Sequence, residues 1–239
     1  MKRINVFKSW LAVVLAMSAL TACQTPNKTT IRESDFQTPI RVACVGDSIT
    51  FGHGIKDPDR NSYPAQLAVR LGDRWQVRNF GVNGATALKN GTRPYNDQPA
   101  FREVLSFKPN VVVIELGTND TNAKSWPAHK NKFIADYLDL IRNFEALETK
   151  PRIYLIRPTP LFRDRGKEYD TDKILTEEVT PKINEIARRN HLQLIDLYAA
   201  LDTKSALFPD GVHPNPEGAG LMAEKVFQTL TGRTSSKSF

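Results

Sequence analysis

Short continuous runs of apolar residues recur along this chain, separated by longer stretches in which apolar residues return every three or four positions. The runs are residues 40–45 (IRVACV), 75–80, 111–116 (VVVIEL), 153–156 (IYLI) and 192–197 (LQLIDL). They are strand-length, and all but 75–80 lack the clean alternation of a half-solvated strand. The intervening stretches have helical spacing. Residues 63–71 carry Pro64 in the first turn, 99–107 begin at Pro99, and 127–147 place Phe133, Tyr137, Leu140, Ile141 and Phe144 on one face. Residues 174–189 are helical with an interruption at Thr180-Pro181, and 217–230 close the pattern. Strands alternating with helices, the strands apolar throughout, predict an α/β fold with a parallel sheet of five strands covered by helices on both faces. In such a sheet the functional site lies beyond the carboxyl ends of the strands.

The N-terminus carries a different pattern. Lys2 and Arg3 precede an apolar stretch from Trp10 to Ala22, broken only by Ser18 and Thr21. The stretch is shorter than the roughly 20 apolar residues a membrane-spanning helix needs, and it has the form of a secretory signal. Leu20-Thr21-Ala22-Cys23 resembles a bacterial lipobox, in which the signal is cut before the Cys and the Cys sulfur carries a diacylglycerol. Gln24 stands where a retention signal for the inner membrane usually has Asp, so the resemblance implies the outer membrane of a bacterial envelope. Residues 24–38 are polar and aperiodic and read as a tether. The expected organisation is a signal peptide at 1–22, a lipidated Cys and tether at 23–38, one catalytic domain at 39–232 and a polar tail at 233–239.

Composition narrows the reading further. With 40% hydrophobic and 25% charged residues, collagen, a disordered chain and a multi-span membrane protein are all excluded. The two cysteines, Cys23 and Cys44, make neither a disulfide framework nor a Cys-x-x-Cys zinc site, so no metal and no cofactor is expected. The net charge of +7 suggests nucleic acid at first. Lys2, Arg3 and Lys8 belong to the signal, which leaves 30 − 26 = +4, and only Arg188-Arg189 is clustered. A mildly basic, solvated surface explains that surplus, and nucleic acid is not expected as a partner.

Four polar clusters occupy the positions where a site should form. Gly46-Asp47-Ser48-Ile49 follows the first strand, NFGVNGAT with Asn79, Gly81, Gly84 and Thr86 follows the second, Gly117-Thr118-Asn119-Asp120 follows the third, and Asp210-Gly211-Val212-His213-Pro214 follows the fifth. Ser48 at a strand-to-helix turn can expose its hydroxyl, but it needs a base to become a nucleophile. His213 is the candidate base, and Asp210, three residues earlier, can orient its ring. Asn119 offers a side-chain amide and Gly84 a sterically open backbone N–H to a developing oxyanion.

The blocks GDSI (46–49), Asn-x-Gly-x-x-Gly-x-Thr (79–86), GTND (117–120) and DGVHP (210–214), in this order and spacing, resemble the SGNH (GDSL-type) hydrolase family over residues 40–228. That resemblance implies a three-layer αβα sandwich, flavodoxin-like, and ester hydrolysis through a Ser-acyl intermediate. It makes Ser48 the nucleophile and its own N–H an oxyanion donor beside Gly84 and Asn119, with His213 as base and then acid and Asp210 as its orienter. Ile49 replaces the Leu that many members have, a change away from the chemistry.

Polar rim loops (KDPDRNS, NGTRPYNDQ) and the lack of an apolar lid segment favour acetyl over long acyl groups, and Ser62-Tyr63-Pro64 after the first block resembles the carbohydrate-deacetylating branch of the family, which implies an O-acetylated carbohydrate as substrate. The alternatives are a lysophospholipase or thioesterase of the same family, or an envelope lipoprotein that binds glycan without cleaving it. A nucleotide-binding reading lacks its glycine-rich phosphate loop. Asp47 is expected to hold loop amides, and Glu115 to be interior or at a strand edge. His53, His129 and His191 read as loop or solvent histidines. Arg157 is a substrate contact or a loop anchor, and Trp126, Arg93 and Tyr95 are rim groups suited to a sugar.

Overall fold

The computed structural model describes residues 30–163 and 165–234. The expected signal sequence, the expected lipid-acceptor position Cys23, the first part of the expected tether and residues 235–239 of the tail lie outside the described residues. Five strands, β1 (Ile40–Gly46), β2 (Trp75–Gly81), β3 (Val111–Glu115), β4 (Arg152–Arg157) and β5 (Gln193–Asp196), form one parallel sheet in the order β2-β1-β3-β4-β5. The principal helices are α1 (Ser48–Phe51), α2 (Tyr63–Leu71), α3 (Pro99–Phe107), α4 (Phe133–Glu145), α5 (Thr180–Arg189) and α6 (Pro216–Thr231). This is the three-layer, flavodoxin-like order, whose topological switch point lies between β1 and β3.

Alternation along each strand feeds two separate cores. Ala43, Val45, Val112, Ile114, Ile153 and Leu155 face α3, α4 and α5 through Val104, Tyr137, Phe144 and Ile183. Val42, Cys44, Val111, Val113, Tyr154 and Ile156 face α2 and α6 through Leu67, Met222 and Val226. Because both faces are covered, the strands need apolar residues at every position, which is why their runs are continuous. Cys44 is fully buried, and that burial pushes its thiol up to about 12, so it serves as a small apolar side chain.

Two helical stretches differ from the sequence pattern. The helix expected over 127–147 is split into a short turn at Trp126–His129, a tight turn at Lys130–Lys132 and α4. Lys130, Asn131 and Lys132 offer nothing to bury, and the apolar face that holds α4 begins only at Phe133. The interruption expected at Thr180-Pro181 is a widened π-turn at Leu175–Val179 leading into α5. Pro181 has no N–H to donate to the carbonyl four residues back, so regular α-helical bonding cannot run through this point.

The expected tether requires correction from Thr30 onward, because this part of it is docked. Ile31 is buried in the core beside α6, and its N–H donates to Leu230 O at 2.6 Å. Trp75 Nε1 donates to Glu33 Oε1 at 2.9 Å, Arg74 to Phe36 O at 2.9 Å, and Arg152 to Thr30 O at 2.7 Å. The packed unit thus begins about Ile31 and not at 39. A single well-placed Ile and a few carbonyl acceptors suffice to fix a polar segment that has no periodicity. Arg233, at the start of the tail, closes over the Phe227 ring and reaches Glu33.

Candidate active site

The turn from β1 into α1 is tight because Gly46 carries no side chain. A Cβ there would lie 2.0 Å from Thr50 Oγ1 and 2.7 Å from Glu115 O. Asp47 caps α1, its Oδ1 accepting from Ile49 N at 2.9 Å. This places Ser48 at the first helical position, where a backbone N–H has no acceptor within the helix. The far end of α1 is pinned by Asn79, whose Nδ2 donates to Thr50 O at 2.9 Å and whose Oδ1 accepts from Gly81 N at 2.9 Å. Asn79 stands in a quoted sequence block, but its fastening of the serine turn emerges only in three dimensions.

The loop after the fifth strand brings His213 across 165 residues to Ser48, with Ser48 Oγ 2.8 Å from His213 Nε2. His213 Nδ1 lies 2.6 Å from Asp210 Oδ2. Asp210 Oδ1 meanwhile accepts from the backbone N–H of Val212 and His213, at 2.9 and 2.8 Å. The loop itself is anchored at Gly211, whose carbonyl accepts from Phe162 N at 2.7 Å and Arg163 N at 3.2 Å.

Asn119, beyond β3, stitches the remaining pieces together. Its Nδ2 donates to Asp47 Oδ2 at 3.1 Å and to Ala85 O at 3.1 Å, bridging the residue before Ser48 to the residue after Gly84. Both amide hydrogens are therefore engaged within the loop network, through long bonds. Gly84 adopts φ +75°, a left-handed conformation suited to glycine, and its half-buried N–H has no intramolecular acceptor among the described residues. The structure thus gathers Ser48, His213, Asp210, Asn119 and Gly84 at the β1/β3 switch point.

Behind Ser48 lie three buried carboxyl groups. Asp47 and Glu115 are fully buried, and burial foremost pushes both up, Asp47 to about 7 with the Asp120 charge adding to the shift and Glu115 with the Asp47 charge adding to its own. Thr50 Oγ1 donates to Glu115 Oε2 at 3.0 Å, while Glu115 Oε1 has no hydrogen-bond partner among the described residues. Asp120 accepts from the N–H groups of Ala87 and Leu88 at 3.0 and 2.8 Å, yet burial still moves it up to about 6. Asp210 behaves in the opposite way. Partial burial opposes its ionisation, but the hydrogen bonds from His213 and Val212 outweigh burial and hold it at about 2.

Other sequence candidates separate clearly. Trp126 and Tyr95 are not rim groups, since each is 1% exposed. Their polar tips are satisfied inside, Trp126 Nε1 by Glu178 at 3.0 Å and Tyr95 Oη by Phe80 O at 2.8 Å, which lets an amphipathic ring be buried whole. Arg157 is ion-paired with Asp196, as an anchor for the β4 and β5 ends. Arg93 is exposed beside Gly84. His53 is exposed in its loop with its ring 4.6 Å from that of His213, a contact that sequence distance conceals. No three His, Cys, Asp or Glu side chains are grouped as metal ligands among the described residues.

The model of the GDSL-like lipase/acylhydrolase family matches residues 44–221. The chain is 39% identical over 203 residues to an acetylxylan esterase of Xylanibacter ruminicola, an alignment covering 77% of this chain; it spans only 42% of that longer protein. Among solved structures, a carbohydrate acetylesterase from Sinorhizobium meliloti superposes with TM-score 0.62 at 17% identity, covering 79% of this chain and 97% of that one. An acetyl xylan esterase gives TM-score 0.62 at 24% identity, covering 79% and 98%. At these identities the structural likeness is one of fold.

Proposed function

This chain belongs to the GDSL-like lipase/acylhydrolase family, and from that premise we propose that it is a serine esterase releasing acetyl groups from O-acetylated carbohydrate. The observation that carries the reading is the continuous chain Ser48 Oγ–His213 Nε2 at 2.8 Å and His213 Nδ1–Asp210 Oδ2 at 2.6 Å. Asp210, ionised, fixes the ring with its proton on Nδ1 and leaves Nε2 to accept. Ser48 Oγ attacks the acyl carbonyl as its proton passes to His213 Nε2. The carbonyl oxygen becomes an oxyanion facing the N–H groups of Ser48 and Gly84 and the amide of Asn119, which releases or shares one of its long bonds to do so. Collapse breaks the C–O bond to the sugar, and His213 returns the proton to the departing oxygen. Water, deprotonated by the same histidine, then frees acetate and restores Ser48.

Support for a carbohydrate ester comes from the Xylanibacter ruminicola relative and from the polar rim. The test is acetate release from a panel of acetylated oligosaccharides, with acyl length varied in parallel on a chromogenic ester. Activity that falls as the acyl chain lengthens and is abolished in Ser48→Ala supports the reading. Activity of Ser48→Ala near wild type would overturn it and leave a glycan-binding protein as the better account.

The envelope placement is a proposal from sequence. The support is the short signal ending in Leu20-Thr21-Ala22-Cys23. Several acyl chains, at about 0.8 kcal/mol per buried CH₂, would make release from a membrane negligible. Mass spectrometry of protein from its native envelope is expected to find the chain starting at an acylated Cys23; an unmodified Cys23 would refute the anchor.

A further inference from the structure

Arg93 touches the candidate oxyanion site through a single peptide unit. Its Nη1 donates to Asn83 O at 2.9 Å. That carbonyl belongs to the same planar unit as the N–H of Gly84. In a trans peptide the C=O and N–H point in opposite directions, so a group that grips the oxygen also aims the hydrogen. A cation at the oxygen polarises the amide and makes its N–H a stronger donor.

The rest of the arginine is held for this task. Arg93 Nε donates to Gln98 Oε1 at 3.2 Å, and Gln98 is itself tied to Pro94 O at 2.9 Å. The backbone carbonyl of Arg93 accepts from Thr86 N at 2.9 Å, so the residue fastens the loop on both sides of Gly84. A Cβ built on Gly84 would lie 4.0 Å from Arg93 Cδ, which puts the side chain alongside the glycine. The left-handed Gly84 has freedom of its own to lose, and Arg93 supplies the restraint from outside.

We infer that Arg93 is a positioning residue for the oxyanion site, acting by fixing and polarising the Asn83–Gly84 peptide. The inference rests on the esterase reading above. Arg93 touches neither nucleophile nor base, and its contribution belongs to the transition state, because only there does the Gly84 N–H meet a full negative charge. Losing a donor outright costs about 10²–10³ in kcat; losing its support costs less, on the order of tenfold.

The experiment compares wild type, Ser48→Ala, Arg93→Ala, Arg93→Met and Arg93→Lys on a short chromogenic acyl ester. Phenylboronic acid, which forms a tetrahedral adduct on a reactive serine, is the probe of the oxyanion site. In Arg93→Ala and Arg93→Met, kcat is expected to fall roughly tenfold with KM changed less than about twofold. The boronate inhibition constant should rise in step. Arg93→Lys, which keeps a cation within reach, should recover part of the loss, and millimolar guanidinium should partly restore Arg93→Ala. A raised KM with intact kcat would make Arg93 a substrate contact and overturn the inference. So would unchanged kinetics, or a parallel loss of kcat and thermal stability that ignores guanidinium. A wild-type level of hydrolysis in Ser48→Ala would instead sink the esterase reading, and this inference with it.

Discussion

Asp210 holds His213 at two points, its Oδ2 against ring Nδ1 at 2.6 Å and its Oδ1 against the backbone N–H at 2.8 Å. The ring cannot turn without breaking the first bond, nor the loop slide without breaking the second. The Asp210 side chain is 49% exposed, so water can enter if the carboxylate is removed. Asp210→Asn is therefore expected to be worse than Asp210→Ala. An amide N–H₂ facing Nδ1 forces the proton to Nε2, where it blocks acceptance from Ser48, at a cost of up to about 10⁴ in kcat. Initial rates on a short ester check the order; an Asn variant faster than the Ala variant would contradict it.

Asn119→Ala removes both the proposed oxyanion donor and the stitch between Asp47 and Ala85. The expected loss is about 10²–10³ in kcat with a smaller change in KM. Steady-state kinetics decide, and a variant with wild-type kcat would show that the amide never leaves its loop partners.

Stability should fall as the pH rises toward neutrality. Asp47 at about 7, Asp120 at about 6 and the raised Glu115 bind protons in the folded state that the unfolded chain releases near pH 4. The contribution of Asp47 and Asp120 is complete below about pH 4 and is lost as the pH climbs through about 6 and about 7, and that of Glu115 is lost in the same sense as the pH rises through its raised value. Asp210 acts in the reverse sense, its contribution present above its ordinary value of 3.8 and lost as the pH falls through about 2. Urea unfolding between pH 4 and pH 8 should show declining stability, and Glu115→Gln should flatten the slope. A stability that climbs steadily over this range would refute the assignment.

Gly211 and Gly54 make a matched pair. Both have positive φ, +77° and +76°. A Cβ on Gly211 would sit 2.7 Å from Arg163 N and 2.9 Å from its Cα, whereas nothing lies within 4 Å of one on Gly54. Gly54→Ala should cost only the left-handed penalty of roughly 1–2 kcal/mol and retain activity. Gly211→Ala should displace the loop carrying Asp210 and His213, with kcat down by roughly tenfold or more. Thermal melts and kinetics on the two variants separate strain from displacement.

Strands and the clustering of the candidate site residues were legible in the sequence for one shared reason. A parallel sheet demands unbroken apolar strands, and its polar chemistry must then collect at their ends, so the clusters at 46–49, 79–86, 117–120 and 210–214 stand out against the runs before them. Burial of amphipathic rings was not legible. Trp126 and Tyr95 sit in polar segments, and only the acceptors that meet them, Glu178 and Phe80 O, reveal that both are core. Nor could spacing reveal that Asn119's hydrogens are both engaged, that Arg93 grips the Asn83 carbonyl, or that one isoleucine fastens residues 30–36 to the domain.

That fastening gives the molecule a polarity. Arg74, Trp75 and Arg152, which hold the incoming segment, stand at the amino ends of β2 and β4, while Ser48 and Asn119 stand beyond the carboxyl ends of β1 and β3. The seven residues of β1, at about 3.3 Å each, put roughly 20 Å of sheet between the two poles. Only seven residue steps separate Thr30 from Cys23, at most about 25 Å of chain. On a lipid-anchored protein the leash would be about as short as the body is tall, and the mouth would open away from the surface that holds it. Esters of the same bilayer would meet the mouth only if the body tipped over on its leash, whereas soluble glycan would meet it without any such turn.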